Sequence, residues 1–256
     1  MGKNRKEFIV KRNRCKKIAA ALLCVVMGCT TLGQGFSAAA ADATTSEEEV
    51  EINFAKALQM SLYFYDANKC GSGITGGNLE WRGDCHTEDA AVPLKPMGED
   101  YKGTNLSQEF IDAHRDILDP DGDGTIDVAG GMHDAGDHVK FCLPGSYAAS
   151  TLGWGYYEFR DAYVDSGQQW HIEDILHWFN DYYLKCTYFD ENGDILAFCY
   201  QVGEGDIDHN YWNAPELQNE SLLDFARPAY FATVETPASD MCAGVCGFAG
   251  SELSEL

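Results

Sequence analysis

The sequence predicts a mostly helical globular domain, and three observations carry that prediction. Apolar residues recur at steps of three and four along several stretches, as they do on one face of a helix. The regular alternation of strand and helix patterns that marks a parallel α/β fold is not visible. The chain has 256 residues, is 45% hydrophobic, and contains 13 Phe, 13 Tyr and 5 Trp. This composition suffices for the core of one or two domains.

The first predicted helix begins at Asn53, whose side-chain oxygen suits an N-cap, and continues to Tyr65. A Gly-rich stretch over 71–77 ends that pattern. Polar loops are predicted over 85–118, with one short helix near Ser107–Ile117 capped by Ser107.

Two longer helices follow, over Pro144–Tyr163 and Trp170–Tyr188, and a turn then leads into a short strand over Ile195–Val202. The apolar stripes of the helix that begins at Asn53 and of the Trp170–Tyr188 helix are predicted to lie in the core. They consist of Phe54, Leu58, Leu62, Tyr65, Ile172, Ile175, Leu176, Phe179, Tyr183 and Cys186.

Residues 1–41 have the layout of an export signal. Residues 1–17 carry eight Lys or Arg, an apolar run over 18–27 follows, and small residues lead to a cleavage site near Ala41. Alternatively, residues 26–29 resemble a bacterial lipoprotein box that would lipidate Cys29. The apolar run is shorter than the ~20 residues that cross a bilayer, so we expect no stable membrane insertion without that lipid. The protein is therefore expected to be secreted by a bacterial-type route, or else lipid-anchored at the cell surface.

The chain is strongly acidic, with a formal net charge of −23 in spite of its basic start. Such a surface repels nucleic acid phosphates, which excludes nucleic acid as a partner. It suits a protein that acts on a neutral polymer, and it attracts cations such as calcium. Residues 42–52 are interpreted as an exposed acidic linker.

Seven cysteines lie outside the predicted signal, and an odd number in an exported chain implies a free thiol or an intermolecular pair. Cys70 and Cys85 flank the Gly-rich loop and could pair. Free thiols in an anaerobic source would explain the cysteines equally well. Cys242 and Cys246 do not have zinc-knuckle spacing, and we assign no metal to the cysteines.

An acidic loop over 119–127 has the spacing of the first nine positions of an EF-hand calcium loop. Position 12, however, is Gly130 and not a bidentate Glu, so this is not an EF-hand. A calcium-stabilised loop is the functional prediction, and a plain Asp/Gly turn cluster is the alternative. The predicted calcium ligands are Asp119, Asp121, Asp123, Thr125 and Asp127.

The stretch 130–141 is predicted to be the reactive one. Asp134 and Asp137 lie three residues apart with Ala135 and Gly136 between them, and small residues permit a tight turn. Both carboxylates can then face one cavity and share a water molecule, on which one of them acts as general base. A turn-forming Asp/Gly loop or a metal site is the alternative.

Several blocks of the sequence resemble those of glycoside hydrolase family 9, whose members are mostly cellulases. They occur in family order over residues 53–240, a partial catalytic domain, and leave 241–256 as a divergent tail. The blocks are Asn53–Tyr65, Trp81–Asp84, Gly130–Phe141, Leu143–Pro144, Gln201–Asp206, Asp208–Glu216 and Ala226–Tyr230. The resemblance implies an all-α (α/α)6 barrel of the six-hairpin type, incomplete in this chain.

The same resemblance implies a secreted endo-β-1,4-glucanase that inverts the anomeric carbon and needs no organic cofactor. Asp137 is then the general base, and Asp134 helps to hold the water. Contacts to cellulose or a related β-glucan would come from His209, Trp212, His133 and Trp81.

The family's general acid is a Glu that would lie beyond residue 256. We therefore expect this chain to be truncated before that Glu and to show little activity. A non-catalytic carbohydrate-binding or calcium-binding extracellular protein is the alternative function. Specificity among β-glucans depends on cleft residues that are mostly absent from this sequence.

Overall fold

The computed structural model describes residues 52–218 and 226–233. The predicted signal, nearly all of the acidic linker, the divergent tail, Cys242 and Cys246 lie outside these residues.

Seven α-helices and six strands occur in the described residues. The helices are α1 (Phe54–Asn68), α2 (Gln108–Ala113), α3 (Arg115–Leu118), α4 (Cys142–Glu158), α5 (Arg160–Asp165), α6 (Gln169–Lys185) and α7 (Gly205–Asp208). The strands are β1 (Val92–Pro93), β2 (Thr125–Ile126), β3 (Lys140–Phe141), β4 (Thr187–Phe189), β5 (Ile195–Val202) and β6 (Ala229–Thr233). Two 3₁₀ helices span Thr87–Ala91 and Pro215–Leu217.

The predicted helix caps are present. The Asn53 side chain accepts a hydrogen bond from the Lys56 amide at 2.9 Å, and Ser107 accepts one from the Phe110 amide at 3.1 Å. Each cap satisfies a first-turn N–H that has no partner within its helix. Helices α1 and α2 therefore begin where the sequence indicated.

The α6 stripe forms the centre of the core. Ile172 and Ile175 are fully buried, and α6 packs against both α1 and α4. On α1, Leu62 is buried as predicted, but Phe54 is 75% exposed. The prediction that the whole α1 stripe is core is therefore wrong at its first residue, which lies in the opening turn of the helix.

The long helix predicted over Pro144–Tyr163 is divided at Phe159, where α4 ends and α5 begins. The predicted Trp170–Tyr188 helix ends at Lys185, because Thr187 starts strand β4. The strand predicted over Ile195–Val202 is confirmed at both ends.

That strand is the centre of a four-stranded antiparallel sheet. β6 pairs along one edge of β5, from Ala197 to Val202, so β4 and β3 share the other edge. Lys140 of β3 lies opposite Val202 of β5. The pairing thereby brings the chain after Asp137 beside the chain that leads into α7.

The described residues are helix-rich but not all-α, so the predicted fold class is met only in part. Sequence periodicity found β5 but not its partners. β3 and β4 have two and three residues and carry no period that a pattern can show, and the five-residue β6 was not predicted either. Within 52–218 and 226–233, no helix has the length and apolar character that a membrane crossing requires.

Candidate active site

The turn over residues 134–137 is held at its two ends. The Asp134 amide donates to the Val139 carbonyl at 2.9 Å, which closes the turn, and β3 begins at Lys140. A Cβ placed on Gly136 would lie 2.6 Å from Cζ3 of Trp212, closer than side-chain carbons approach. Glycine is therefore required at position 136 so that the Trp212 ring can pack on the turn.

Asp137 and His209 lie close together beside this turn. Asp137 precedes β3 and His209 follows β5, and these two strands are paired. His209 Nδ1 lies 2.8 Å from Asp137 Oδ2. The other oxygen, Asp137 Oδ1, is buried and has no hydrogen-bond partner among the described residues. Asp137 thus has one oxygen oriented by an imidazole and one left able to accept a proton.

Asp134 has different surroundings from Asp137. Partial burial, and then the nearby charge of Asp137, raise the pKa of the Asp134 carboxyl above its usual value. Both effects disfavour the ionised form. The charge of Asp137 therefore reaches the carboxyl of Asp134.

Trp212 offers a flat apolar face at this site. Its side chain is 61% exposed, while its Nε1 donates to the His209 carbonyl at 2.5 Å. The His209 ring meets it edge-on, with ring centroids 4.9 Å apart. The Trp212 ring is therefore fixed in orientation although it is open to solvent.

Trp81 is also exposed, at 69%, and its loop is tied to the segment that carries Trp212. Glu216 Oε1 accepts from Arg82 Nε at 2.7 Å and from the Gly83 amide at 2.9 Å. Burial raises the pKa of Glu216, but the hydrogen bonds from Arg82 and the Gly83 amide, together with the Arg82 charge, hold the pKa below its usual value. Glu216 thus links the Trp81 and Trp212 loops through a charged contact.

His133 is placed differently from the prediction. It is 5% exposed, and its Nε2 lies 3.2 Å from Nδ1 of His86. Burial, and then the neighbouring His86, hold the pKa of His133 well below its usual value. A buried imidazole packed against other rings is not exposed to a sugar, so His133 is not among the proposed substrate contacts.

His133 instead belongs to a buried cluster that the sequence analysis missed, formed by Cys70, Cys85, His86 and His133. One ligand atom from each lies within 4.8 Å of the others. Two thiols and two imidazoles are a donor set that Zn²⁺ takes in closed structural sites, where ~2.0–2.3 Å bonds bring the ligands together. The described cysteines are free thiols, including Cys70 and Cys85. The adjacent Cys85–His86 pair was a signal that could have found the cluster.

The predicted calcium ligands separate into two groups. Oxygens of Asp119, Asp121 and Asp123 converge within 4.8 Å. Asp127 instead pairs with Lys185 Nζ at 3.0 Å, and the Thr125 hydroxyl donates to Asp123 at 2.7 Å. The three converging carboxylates fit a hard cation, since oxygen donors are what calcium prefers. Asp127 is thus engaged by Lys185 at the end of α6. The ligand atom predicted for Thr125 is its backbone carbonyl, which the hydroxyl contact does not occupy, so Thr125 stays a prediction.

A buried ionic network lies beneath the site. Arg227 contacts both oxygens of Asp89 at 2.8 and 3.1 Å and Oδ2 of Asp208 at 2.8 Å. Lys140 Nζ lies 2.9 Å from Asp89. Burial raises the pKa of Asp89, but Arg227 and Lys140 overcome this and hold it well below its usual range. The network anchors β3, α7 and the chain entering β6 to one another.

Comparisons with known sequences and solved structures give consistent matches for this chain. The family model for glycosyl hydrolase family 9 matches residues 54–250. Endoglucanase A of Bacillus pumilus is 30% identical over 202 residues, which are 79% of this chain and 24% of that protein. Endoglucanase 14 of Oryza sativa subsp. japonica is 30% identical over 75% of this chain and 35% of its own length.

Solved structures agree with this. The catalytic domain of Clostridium thermocellum CelT superposes with a TM-score of 0.68 at 50% identity, over 78% of this chain and 40% of that one. Endoglucanase CelQ of the same organism, solved with cellotetraose, gives 0.54 at 28% identity over 80% of this chain and 26% of that one. The chain thus spans well under half the length of these relatives. On the match over residues 54–250, it belongs to glycosyl hydrolase family 9.

Proposed function

We propose that this chain supplies the water-activating part of an endo-β-1,4-glucanase that hydrolyses cellulose or a related β-glucan. The observation that carries the proposal is the convergence of Asp134, Asp137, His209 and Trp212 on one turn. Family membership and the endoglucanase names of the relatives support it. CelQ was solved with cellotetraose, which supports a β-1,4-linked glucan as the substrate.

In the proposed reaction, Asp137 Oδ1 takes a proton from a water molecule while His209 holds Oδ2. The water oxygen bonds to the anomeric carbon on the face opposite the leaving oxygen, which inverts that carbon. The glycosidic C–O bond breaks, and the leaving oxygen takes a proton from a carboxylic acid. We assign that acid to none of the described residues.

Asp134 and the two exposed tryptophans complete the proposed roles. Asp134 is a second acceptor that holds the water beside Asp137. The flat faces of Trp212 and Trp81 would pack against the apolar C–H face of a pyranose, and His209 lies beside Trp212 to donate to hydroxyl groups.

The finer structural and cellular expectations are part of this proposal. The helices α1, α4 and α6 would belong to an (α/α)6 barrel, as the resemblance implies. Calcium would be held by Asp119, Asp121 and Asp123. The protein would be exported, in keeping with residues 1–41 and with the net charge of −23.

The product anomer tests the reaction. The full chain is incubated with cellopentaose, and the anomeric protons are followed by ¹H NMR before mutarotation. We expect the α-anomer first, and a rate lower by about 10²–10⁴-fold in Asp137→Asn, since that is the usual contribution of a general base. Asp165→Asn, an exposed aspartate on α5, is the matched control. A β-anomer, or an unchanged rate in Asp137→Asn, would refute the assignment.

A non-catalytic carbohydrate-binding protein is the second candidate, favoured by the exposed Trp81 and Trp212. If the wild-type chain releases no product, titration with cellotetraose decides between the two. Binding without turnover supports this second function, whereas absence of both excludes the two functions for this chain.

A further inference from the structure

Gln218 is a buried side chain that contacts several other buried polar groups near the site. It follows the 3₁₀ helix Pro215–Leu217 and is fully buried. Its Oε1 lies 2.7 Å from His86 Nε2 and 2.6 Å from His138 Nδ1. Its Nε2 donates to Oδ1 of Asp208. One side chain thus contacts three different segments.

The orientation of this amide is set by the acid beside it. Asp208 faces the guanidinium of Arg227 at 2.8 Å, and an ionised carboxylate only accepts hydrogen bonds. The NH₂ group of Gln218 must therefore face Asp208, and its carbonyl oxygen must face the two imidazoles. A carbonyl only accepts, so both imidazole nitrogens must carry their proton.

This fixes which nitrogen is protonated in each ring. His138 bears its proton on Nδ1, and His86 bears its proton on Nε2. In the neutral ring the second nitrogen of His86, Nδ1, then has a free lone pair. That atom lies 3.8 Å from Cys70 Sγ and 3.2 Å from His133 Nε2, inside the Cys/His cluster.

The residues that Gln218 contacts are sequence neighbours of the residues in the active site. His138 follows Asp137, and Asp208 precedes His209. Asp137 and His209 are the pair joined at 2.8 Å. Gln218 therefore links the two chain segments whose separation determines that contact.

We infer that Gln218 is a positioning residue: it sets the tautomers of His86 and His138 and, through Asp208, the placement of His209 against Asp137. The catalytic consequence rests on the proposed function, while the structural part does not. Gln218 lies behind the reacting groups, so it acts through these residues.

The test reads imidazole nitrogens directly. The full chain, which has seven histidines, is labelled with ¹⁵N-histidine, and long-range ¹H–¹⁵N spectra are recorded at a single neutral pH with EDTA. Spectra of His86→Gln, His138→Gln and His209→Gln assign the signals. We expect the Nδ1–H tautomer for His138 and the Nε2–H tautomer for His86. The opposite tautomer in either ring overturns the inference.

Two substitutions separate the two sides of the amide. Gln218→Glu keeps an acceptor oxygen for both imidazoles but replaces the amide N–H that faces Asp208 with a second carboxyl group, so the tautomers should persist while the His209 Nδ1 signal moves. Gln218→Leu removes every contact, and both tautomers and the His209 signal should change. If the leucine variant does not fold, the wild-type and Gln218→Glu spectra still decide.

Gln168→Leu is the matched control, because Gln168 is a buried glutamine that contacts a different histidine, His171, at 3.2 Å. It should leave the signals of His86, His138 and His209 in place. An unmoved His209 signal in folded Gln218→Glu overturns the positioning role.

Kinetics with cellopentaose test the catalytic consequence. Gln218→Glu should lower kcat by tenfold or more and change KM by less than twofold, because the exposed Trp212 face is not altered. A tenfold loss of kcat/KM that comes only from a higher KM, with kcat unchanged, would refute the positioning role. If the wild type hydrolyses nothing, the proposed function fails, and the tautomer result remains as a separate outcome.

Discussion

Asp134 and Asp137 are two residues of the same type in one turn, and their surroundings separate them. Asp137 has an imidazole on one oxygen and an unpartnered, buried second oxygen. Partial burial, and then the charge of Asp137, raise the pKa of Asp134 and disfavour its ionised form. Placing the Asp134 carboxylate beside that of Asp137 therefore costs stability wherever Asp134 is ionised.

We therefore expect Asp134→Asn to stabilise the folded protein at neutral pH. The folded-state pKa of Asp134 is raised, so folding is penalised only where the carboxyl is ionised, above the unfolded value of about 3.9. The penalty is absent at lower pH, where both states are protonated. Thermal unfolding should show a higher Tm for the variant at pH 7 and no difference at pH 3. The same Tm difference at both pH values would contradict this.

The Trp212 ring is held in one orientation by His209 but is exposed to solvent. The proposed stacking on a pyranose needs both properties. Trp212→Ala should weaken cellotetraose binding by about tenfold or more, which corresponds to ~1.4 kcal/mol. Trp154→Ala is a suitable control, since Trp154 is similarly exposed, at 60%, on α4. Calorimetric titration gives both values, and an equal loss in the two variants would remove the special role of Trp212.

At the scale of elements, α6 and β5 hold the described part of the molecule together. α6 packs against α1 and α4, and β5 pairs with β3, β4 and β6. The β3–β5 pairing is what places Asp137 near His209. The reactive turn is therefore positioned by a sheet that periodicity did not predict as a whole.

The core role of α6 has a direct test. Ile175 is fully buried, so Ile175→Ala should lower the free energy of unfolding by about 2–5 kcal/mol through lost burial and the cavity left behind. Leu184→Ala, at a 66% exposed position of the same helix, should change it by less than ~0.5 kcal/mol. Urea unfolding monitored by circular dichroism measures both, and similar losses would contradict the assigned core.

At the scale of the whole molecule, the Cys/His cluster joins segments that are far apart in sequence. Cys70 follows α1, Cys85 and His86 follow the Trp81 loop, and His133 directly precedes Asp134. A metal held by the four would fix the reactive turn to the end of α1 without touching substrate. This is a use of metal in holding a fold rather than in chemistry.

Metal binding at the cluster is therefore expected and measurable. Co²⁺ added to the EDTA-treated chain should produce a thiolate-to-metal absorption band at one equivalent, which Zn²⁺ then displaces. Cys85→Ser should lose the band, while Cys142→Ser, a buried cysteine outside the cluster, should retain it. A band that persists in Cys85→Ser would place the metal elsewhere. Bound Zn²⁺ should also raise Tm, because ligands that bind only the folded state stabilise it.

The sequence predicted features that depend on residues near one another in the chain. It did not predict contacts between residues that are far apart in the chain. Asn53, Ser107, the α6 stripe and β5 follow from caps and periodicity, which depend on neighbours along the chain. The Gln218 contacts and the Arg227 network could not be found in this way, since their partners lie up to 138 residues apart.

The sequence by itself determined the family, the start of α1 and the core stripe of α6, and the pair of aspartates in the turn over 134–137. These depend on residue type and on spacing over a few residues, and both are visible in the sequence itself. Only the tertiary structure decided that His133 lies in a buried cluster, and that His209 is the partner of Asp137. It also separated Asp127 from the other carboxylates of the acidic loop by pairing it with Lys185. A side chain's partner is set by the packing of distant segments, and neither its own type nor its neighbours in sequence specify that packing.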